Sequence, residues 1–368
     1  MRLAFCLFKY FRYGGLERDF LRIANGCRQR GHDITVFTQQ WQGVPPPDFT
    51  VHVLPLRSIT SHGKCREFAR TTAAYLRDAN FDAVVGFNKM PGLDFYFAAD
   101  PCYQQRIRET HGALYRLSPR YRGFLKLEQA VFSQHSRTRI LLLAAPQQEV
   151  FRHYYQTQPE RFHLIPPGIS SDRAAPVNAA QIRAEFRAEL AVADDEYILL
   201  MIGSGFKRKG LDRALLAMAS LPADILHKTR LMVLGEDDPR PYMRLAKRLG
   251  IDDRLHMLGG RDDVPRFLLA ADVLIHPAYS EVAGMVLLEA LAAGLPVLAT
   301  EVCGYAFHVA NADAGRIVPS PFAQSELNNM LHEMLASPRH QWRINALNYS
   351  KANLHSLPSA VIDLIESR

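Results

Sequence analysis

The chain has 368 residues, 48% hydrophobic and 22% charged, the balance of a globular protein and too many residues for one comfortable core, so two domains of roughly 150 to 200 residues are predicted. No run of about 18 uncharged apolar residues occurs, the N-terminus lacks a signal-peptide pattern, and five scattered cysteines (6, 27, 65, 102, 303) form no CxxC; these features predict a cytoplasmic protein with reduced thiols and argue against a structural zinc site. The net charge of +7 is uneven: residues 1–165 carry 23 Lys/Arg against 13 Asp/Glu and residues 166–368 carry 21 against 24, giving +10 and −3. The first half therefore points to an anionic partner, with nucleic acid, a membrane surface and a phosphorylated acceptor as the choices.

Short apolar runs alternate with amphipathic runs of helical length. Strands are predicted at Arg2–Phe8, Asp33–Thr38, Phe49–Pro55, Ala83–Phe87, Phe95–Ala99, Ile140–Ala144 and Phe162–Pro166, with a helix over about Leu16 to Arg30 after the first. The pattern restarts at Tyr197–Gly203, Arg230–Gly235, Leu255–Leu258, Val273–Pro277 and Pro296–Thr300. This is the signature of βαβ units and parallel sheets, here two Rossmann-like halves. Pro166 to Pro176 has the Pro, Gly and Ser content of a linker.

In open α/β sheets the loops after strands carry the chemistry. After the first strand, Tyr13-Gly14-Gly15-Leu16-Glu17-Arg18-Asp19 places a Gly-Gly turn at a helix start, where backbone can approach a phosphate closely; an ordinary Gly-Gly turn is the plainer reading. Residues 103–126 hold six cations, one acid and four aromatic rings. Arg106, Arg108, Tyr115, Arg116, Arg120, Tyr121, Arg122, Phe124 and Lys126 suit the headgroup layer of an anionic membrane, against an ordinary surface helix or an RNA-binding segment. Farther on, Gly203-Ser204-Gly205-Phe206-Lys207-Arg208-Lys209-Gly210 sets three successive cations on a Gly-flanked loop, which favours a diphosphate over a merely solvated loop. It matches neither the dinucleotide fingerprint nor the Walker loop. Histidine spacing offers no metal motif, Glu236-Asp237-Asp238-Pro239 reads as a turn, and no GxSxG elbow occurs.

Ser280-Glu281-Val282-Ala283-Gly284-Met285-Val286-Leu287-Leu288-Glu289-Ala290 brackets an apolar run with two acids. Ala283-Gly284 followed by Met285 to Leu291 reads as a helix start with a small-residue mouth; if the segment is helical, Glu281 and Glu289 stand roughly 9 to 12 Å apart, the reach of a sugar joined through a diphosphate to a ribose. A solvated Glu beside a buried, paired one is the alternative.

With these motifs in two Rossmann-like halves, the chain resembles the GT-B glycosyltransferases of retaining family 4. More narrowly, Tyr13-Gly14-Gly15-Leu16, Gly86-Phe87-Asn88-Lys89-Met90-Pro91-Gly92-Leu93-Asp94, His276-Pro277-Ala278-Tyr279 and Val302-Cys303-Gly304-Tyr305-Ala306 look like the bacterial lipopolysaccharide core glucosyltransferases. The resemblance implies two Rossmann-like domains facing each other across a donor/acceptor cleft. It implies UDP-glucose as donor, the first heptose of the lipopolysaccharide inner core as acceptor, and an α-1,3 bond formed with retention. Glu289 would bind the ribose, Arg208 and Lys209 the diphosphate, Glu281 the glucose hydroxyls and the N–H groups of Ala283, Gly284, Met285 and Val286 the glucose and phosphate. Gly14 and Gly15 would approach the donor, Arg261 would lie near the uracil, and Asp100 or Asp19 would orient acceptor or glucose beside Lys209 and Glu281. The pattern departs from the family in Gly203-Ser204-Gly205, where many members carry an Arg, which moves the load to Arg208 and Lys209.

The resulting expectation is an acceptor- and membrane-binding domain over 1–167, a linker over 168–176, a nucleotide-sugar domain over 177–349, and a C-terminal helix over 350–368 that packs back on the first domain. The enzyme is expected to need no metal or other cofactor, to bind no nucleic acid, and to sit on the cytoplasmic face of the inner membrane. Another UDP-sugar (galactose or N-acetylglucosamine) on another glycan, and a non-catalytic UDP-sugar-binding membrane protein, are the alternative readings.

Overall fold

The computed structural model describes residues 1–169, 171–354 and 357–367. Ser170, within the expected linker, and His355, Ser356 and Arg368, within the expected C-terminal segment, lie outside the described residues. The chain divides into two units, Met1–Pro166 with Leu357–Arg368, and Pro167–Ser356.

Unit 1 is built on seven parallel strands: β1 (Arg2–Cys6), β2 (Asp33–Thr38), β3 (Phe49–Val53), β4 (Ala83–Gly86), β5 (Phe95–Ala98), β6 (Arg139–Leu142) and β7 (Phe162–Leu164). Their order is β3-β2-β1-β4-β5-β6-β7. Register runs from Arg2 opposite Asp33 to Cys6 opposite Phe37 on one side of β1, and from Leu3 opposite Ala83 to Cys6 opposite Gly86 on the other. Leu3, Ala4, Phe5, Val85, Phe97 and Leu141 are fully buried, as expected for strands covered by helices on both faces. Apart from Ala4, each of these side chains contributes about 1.5–3 kcal/mol by leaving water.

Unit 2 repeats the plan with six parallel strands: β8 (Tyr197–Ile202), β9 (Thr229–Leu234), β10 (Leu255–Met257), β11 (Val273–His276), β12 (Val297–Thr300) and β13 (Gly315–Val318), in the order β10-β9-β8-β11-β12-β13. The edge strand β13 has no counterpart in the sequence reading, because Gly315-Arg316-Ile317-Val318 is short and only half apolar. In both sheets the order reverses direction beside the first strand, between β1 and β4 and between β8 and β11. That reversal splays the following loops apart and leaves a crevice at the strands' carboxyl ends.

Ion pairs fix the helices to the second sheet. Asp272, buried just before β11, accepts from Ile198 N at 2.9 Å, Arg183 at 2.7 Å and Arg187 at 3.1 Å. Burial alone would raise its pKa, but the two guanidinium groups and the Ile198 N–H hold it lowered. At the C-terminus one helix (His340–Asn353) ends in unit 2, and another (Leu357–Glu366) belongs to unit 1. The break therefore falls inside 350–368. The latter helix buries Val361, Ile362 and Ile365 and clasps α1 (Gly15–Gln29) at its end: Arg30 reaches Asp363 at 2.6 Å and Glu366 at 2.7 Å, and His32 reaches Glu366 at 2.7 Å.

Candidate active site

Two strand-end loops of unit 2 meet backbone to backbone. Gly210, after the short helix Phe206–Lys209, has φ of +76°, and a Cβ there would lie 2.1 Å from Pro277 O. No other residue permits that approach. Tyr279 N donates to Arg208 O at 2.8 Å across the same seam. The loop is held from its other side as well: Asp237 accepts from Phe206 N at 2.9 Å, and Ser204 Oγ accepts from Glu236 N at 2.9 Å. The acidic run at 236–238 thus works as a cap and turn.

The seam places both cations on one carboxylate. Arg208 Nη1 lies 2.8 Å and Lys209 Nζ 2.9 Å from Glu281 Oε2; Oε1 takes neither contact. His276, fully buried at the end of β11, points Nε2 at the same oxygen from 3.6 Å, in electrostatic range but beyond a hydrogen bond. Burial and Lys209 pull His276 down to about 4, so the ring is neutral at pH 7. Burial would raise the Glu281 pKa, yet His276, Lys209 and Arg208 together hold its carboxyl well below the usual carboxylate range. Glu281 is anchored through its backbone: it bridges Cys303 in parallel, and its carbonyl accepts from Gly304 N at 3.2 Å.

The helix start expected after Ala283-Gly284 is there, but that anchoring keeps the segment from being helical from Glu281 on. Residues 281–284 are not helical; Gly284, at φ +85°, is the N-cap, and the helix α2 of this site, Met285–Ala292, begins only after it. The distance inferred from helical rise therefore does not apply. Ala283 is occupied as an acceptor, its carbonyl taking Tyr305 N at 2.8 Å. The N–H groups of Met285 and Val286 open the helix, where no carbonyl of the helix can meet them. Glu289 is buried one turn on, at 5% exposure. Arg261, after β10, is forked onto Asp263 at 2.8 and 2.6 Å. Its loop adjoins the cation loop through Gly235, whose N–H donates to Gly259 O at 2.8 Å and whose Cα abuts Gly203.

In unit 1, Gly14 is the N-cap and Gly15 the first residue of α1. Asp19 is buried and pairs with Arg22 at 3.5 Å, while Asp100 is exposed after β5. The sequence reading assigned Glu17 no role, yet it is 6% exposed and lies against the Gly14 Cα, where a Cβ would come within 1.7 Å of its Oε2. Burial first, then Asp100 and Asp19, raise its pKa to about 7. The available signal was its position, three residues after a glycine N-cap, from which a Glu folds back over the helix start. His276 was likewise legible only as part of a motif.

The basic segment forms two helices, Tyr103–Thr110 and Pro119–Phe132, joined by a 3₁₀ turn at Ala113–Leu117. Arg106, Arg108, Arg116, Arg120, Arg122 and Lys126 are exposed and Tyr115 is half-buried. Tyr121 corrects the expectation: it is 6% exposed and stacks on Tyr103 at 5.9 Å, and half-buried Phe124 packs on the same ring at 5.5 Å. Both belong to the small core under the segment, while Leu114 and Leu117 stand out at 83% and 63% exposure. Beneath, the fully buried Glu128 accepts from Lys89 at 2.6 Å, Tyr103 N at 2.7 Å, Gln104 N at 3.0 Å and the Tyr155 hydroxyl.

Two Rossmann-like units with parallel sheets, and a cation-gripped carboxylate beside a helix start at the switch point of the second, define a GT-B glycosyltransferase. The comparisons narrow this. Residues 13–173 match Glycosyltransferase Family 4 and residues 182–349 match glycosyl transferases group 1. The chain is 45% identical to the lipopolysaccharide glucosyltransferase WaaG of Escherichia coli K12, over 99% of this chain and 98% of that one. The crystal structure of WaaG, a glycosyltransferase involved in lipopolysaccharide biosynthesis, superposes with a TM-score of 0.96 at 44% identity over the whole of both chains. Anabaena Alr3699/HepE, solved with UDP-glucose, shares the fold alone, at 16% identity and a TM-score of 0.77 over the whole of both chains. The chain belongs to the WaaG family of lipopolysaccharide glucosyltransferases within glycosyltransferase family 4.

Proposed function

We propose that the protein transfers glucose from UDP-glucose to the first heptose of the lipopolysaccharide inner core, forming an α-1,3 linkage with retention. The observation that carries this reading is the division of labour on Glu281: Oε2 holds Arg208 and Lys209, and Oε1 is left to accept from sugar hydroxyls. The cations then stand beside the carboxylate that orients the sugar, where the diphosphate joins it. Glu289 binds the ribose hydroxyls, Arg261 lies toward the uracil, Ala283 and Gly284 shape the mouth of the helix, and the N–H groups of Met285 and Val286 meet the sugar and phosphate. Gly14 and Gly15 open the backbone at the start of α1.

In the reaction the bond from the anomeric carbon to the β-phosphate oxygen breaks, its electron pair leaving with UDP. The acceptor oxygen bonds to the anomeric carbon on the same face, and its proton passes to the departing phosphate. Lys209 and Arg208 neutralise the charge that develops there, work done by a metal ion in other transferases, so no metal or other cofactor is required. Asp100 or Asp19 orients the acceptor or the glucose, and such positioned groups typically contribute about 10² to 10⁴-fold. No helix among the described residues is long and apolar enough to cross a membrane; the exposed arginines with Leu114 and Leu117 support peripheral attachment to the anionic cytoplasmic face of the inner membrane. The test is to incubate the protein with heptose-terminated lipopolysaccharide and UDP-glucose, UDP-galactose or UDP-N-acetylglucosamine and weigh the product. A mass gain of one hexose from UDP-glucose alone is expected, and no transfer from any donor removes the proposal.

A further inference from the structure

Between His276 and Glu281 the chain passes through Pro277, Ala278, Tyr279 and Ser280, none of which the donor chemistry uses. This stretch is gripped by Arg213, on the helix Leu211–Ala219 that continues from the cation loop. Arg213 Nη1 donates to Pro277 O at 3.2 Å and to Ala278 O at 3.1 Å. Its guanidinium lies between two rings, with Cζ 3.5 Å from the centroid of Tyr279 and 3.6 Å from that of Phe322, which follows the edge strand β13. Both distances are well inside cation–π range.

The surroundings fix this clamp in turn. The Tyr279 hydroxyl donates to Asp212 Oδ2 at 2.7 Å, which keeps the ring over the guanidinium, and Gln324 Nε2 donates to Arg213 O at 3.1 Å. Arg213 follows Lys209 and Arg208 by four and five positions, so it ties the segment that carries the cations to the segment that leads into Glu281. Glu281 itself is anchored separately, to Cys303 and Gly304. Loss of the clamp would therefore loosen the cation segment relative to a carboxylate that stays in place. The two carbonyls and two rings call for a planar fork, which a lysine does not supply.

We propose that Arg213 is a positioning residue for the donor site: by holding Pro277 and Ala278 it sets how Arg208 and Lys209 stand against Glu281, and so how the sugar-diphosphate end of the donor is received. The inference rests on the donor reading above, in which the uridine end is left to Glu289 and Arg261, outside the clamped stretch.

The experiment titrates full-length wild type, Arg213→Ala and Arg213→Lys calorimetrically with UDP-glucose and with UMP, which lacks the β-phosphate and the sugar. Arg213→Ala is expected to bind UDP-glucose ~10-fold more weakly and UMP as wild type does. Arg213→Lys, which keeps the charge but not the fork, should show the same split at a smaller loss. Glucose transfer is followed on the same samples, with kcat of the alanine variant expected to fall about 10- to 100-fold. Wild-type affinity for UDP-glucose in both variants, a parallel loss for UMP, or failure of both variants to fold overturns the inference; the last two mark general damage to unit 2 rather than placement of its cations. A wild type that binds UDP-glucose yet transfers nothing refutes the transferase reading, and the binding comparison still decides the role of Arg213.

Discussion

Lys209→Ala removes the better buried of the two cations on Glu281, which are proposed to face the leaving phosphate. Lys209 and Glu281 are 12% and 13% exposed at a separation of 2.9 Å, a charge-assisted contact worth about 1.5–3 kcal/mol. Arg208 still holds Glu281 Oε2 at 2.8 Å, so the folded state should lose only about 1–2 kcal/mol, or roughly 2–4 °C in unfolding midpoint per kcal/mol for a unit of this size. Turnover should suffer far more, because the lost cation faces charge that appears only as the phosphate leaves. Removal of one such preorganised group costs about 10² to 10³ in kcat, or about 2.7–4 kcal/mol. The assay is the initial rate of glucose transfer from UDP-glucose at saturating acceptor, with the unfolding midpoint measured in parallel. Lys209→Arg, which keeps the charge, should recover part of the rate. A kcat within about threefold of wild type, in a protein with normal stability, would refute leaving-group neutralisation by Lys209.

Glu17 has a raised pKa of about 7, so the folded state holds a proton that the unfolded chain releases above about 4.5, and its contribution to stability is lost as pH rises through 7. Glu17→Gln should therefore stabilise unit 1 at pH 8 by about 2–3 kcal/mol and have little effect at pH 4, as read by denaturant titration at both pH values; an equal effect at both would sink the account. His276 is lowered to about 4, so the unfolded chain binds the proton first and stability falls as pH drops from 6.5 to 4, by at most roughly 3 kcal/mol. His276→Asn should flatten that slope in a thermal-unfolding series, and an unchanged slope contradicts it. Glu128→Ala leaves Lys89, still bonded to Pro101 O at 2.7 Å, without its counter-charge and the Tyr103 and Gln104 amides without their acceptor, and should cost about 3–5 kcal/mol in denaturant unfolding. Replacing Arg116, Arg120 and Arg122 with Gln should weaken sedimentation with anionic vesicles about 100-fold, at about 1 kcal/mol per cation; equal wild-type binding to neutral vesicles would refute the electrostatic attachment.

What was legible in the sequence follows from what each signal depends on. The buried parallel strands announce themselves because both faces are covered, so Leu199, Leu200 and Met201 can all be apolar without regard to register. β13 escapes the same reading because an edge strand needs little burial to pair. The cation loop and Glu281 were legible separately, as charges too close to a strand end to be idle. Their direct contact was not, since it depends on Gly210 lying against the Pro277 carbonyl, 67 positions along the chain. Tyr121 and Phe124 show the converse failure: composition alone cannot tell which aromatic rings of a basic segment face outward, and the pairing of Tyr121 with Tyr103 decides it.

Glu17 joins these cases, because its burial has a cause that composition hides. With any residue but glycine at position 14 the Glu17 carboxylate would have to swing away from a Cβ there, so the Gly-Gly turn that resembles a phosphate approach also makes room for an acid. The same turn thus does two things: it opens the backbone of α1, and it leaves room for Glu17 to fold over the helix start. Each sheet reverses beside its first strand, which gives each unit its own crevice. In unit 2 that crevice holds Arg208 and Lys209 against the one oxygen of Glu281.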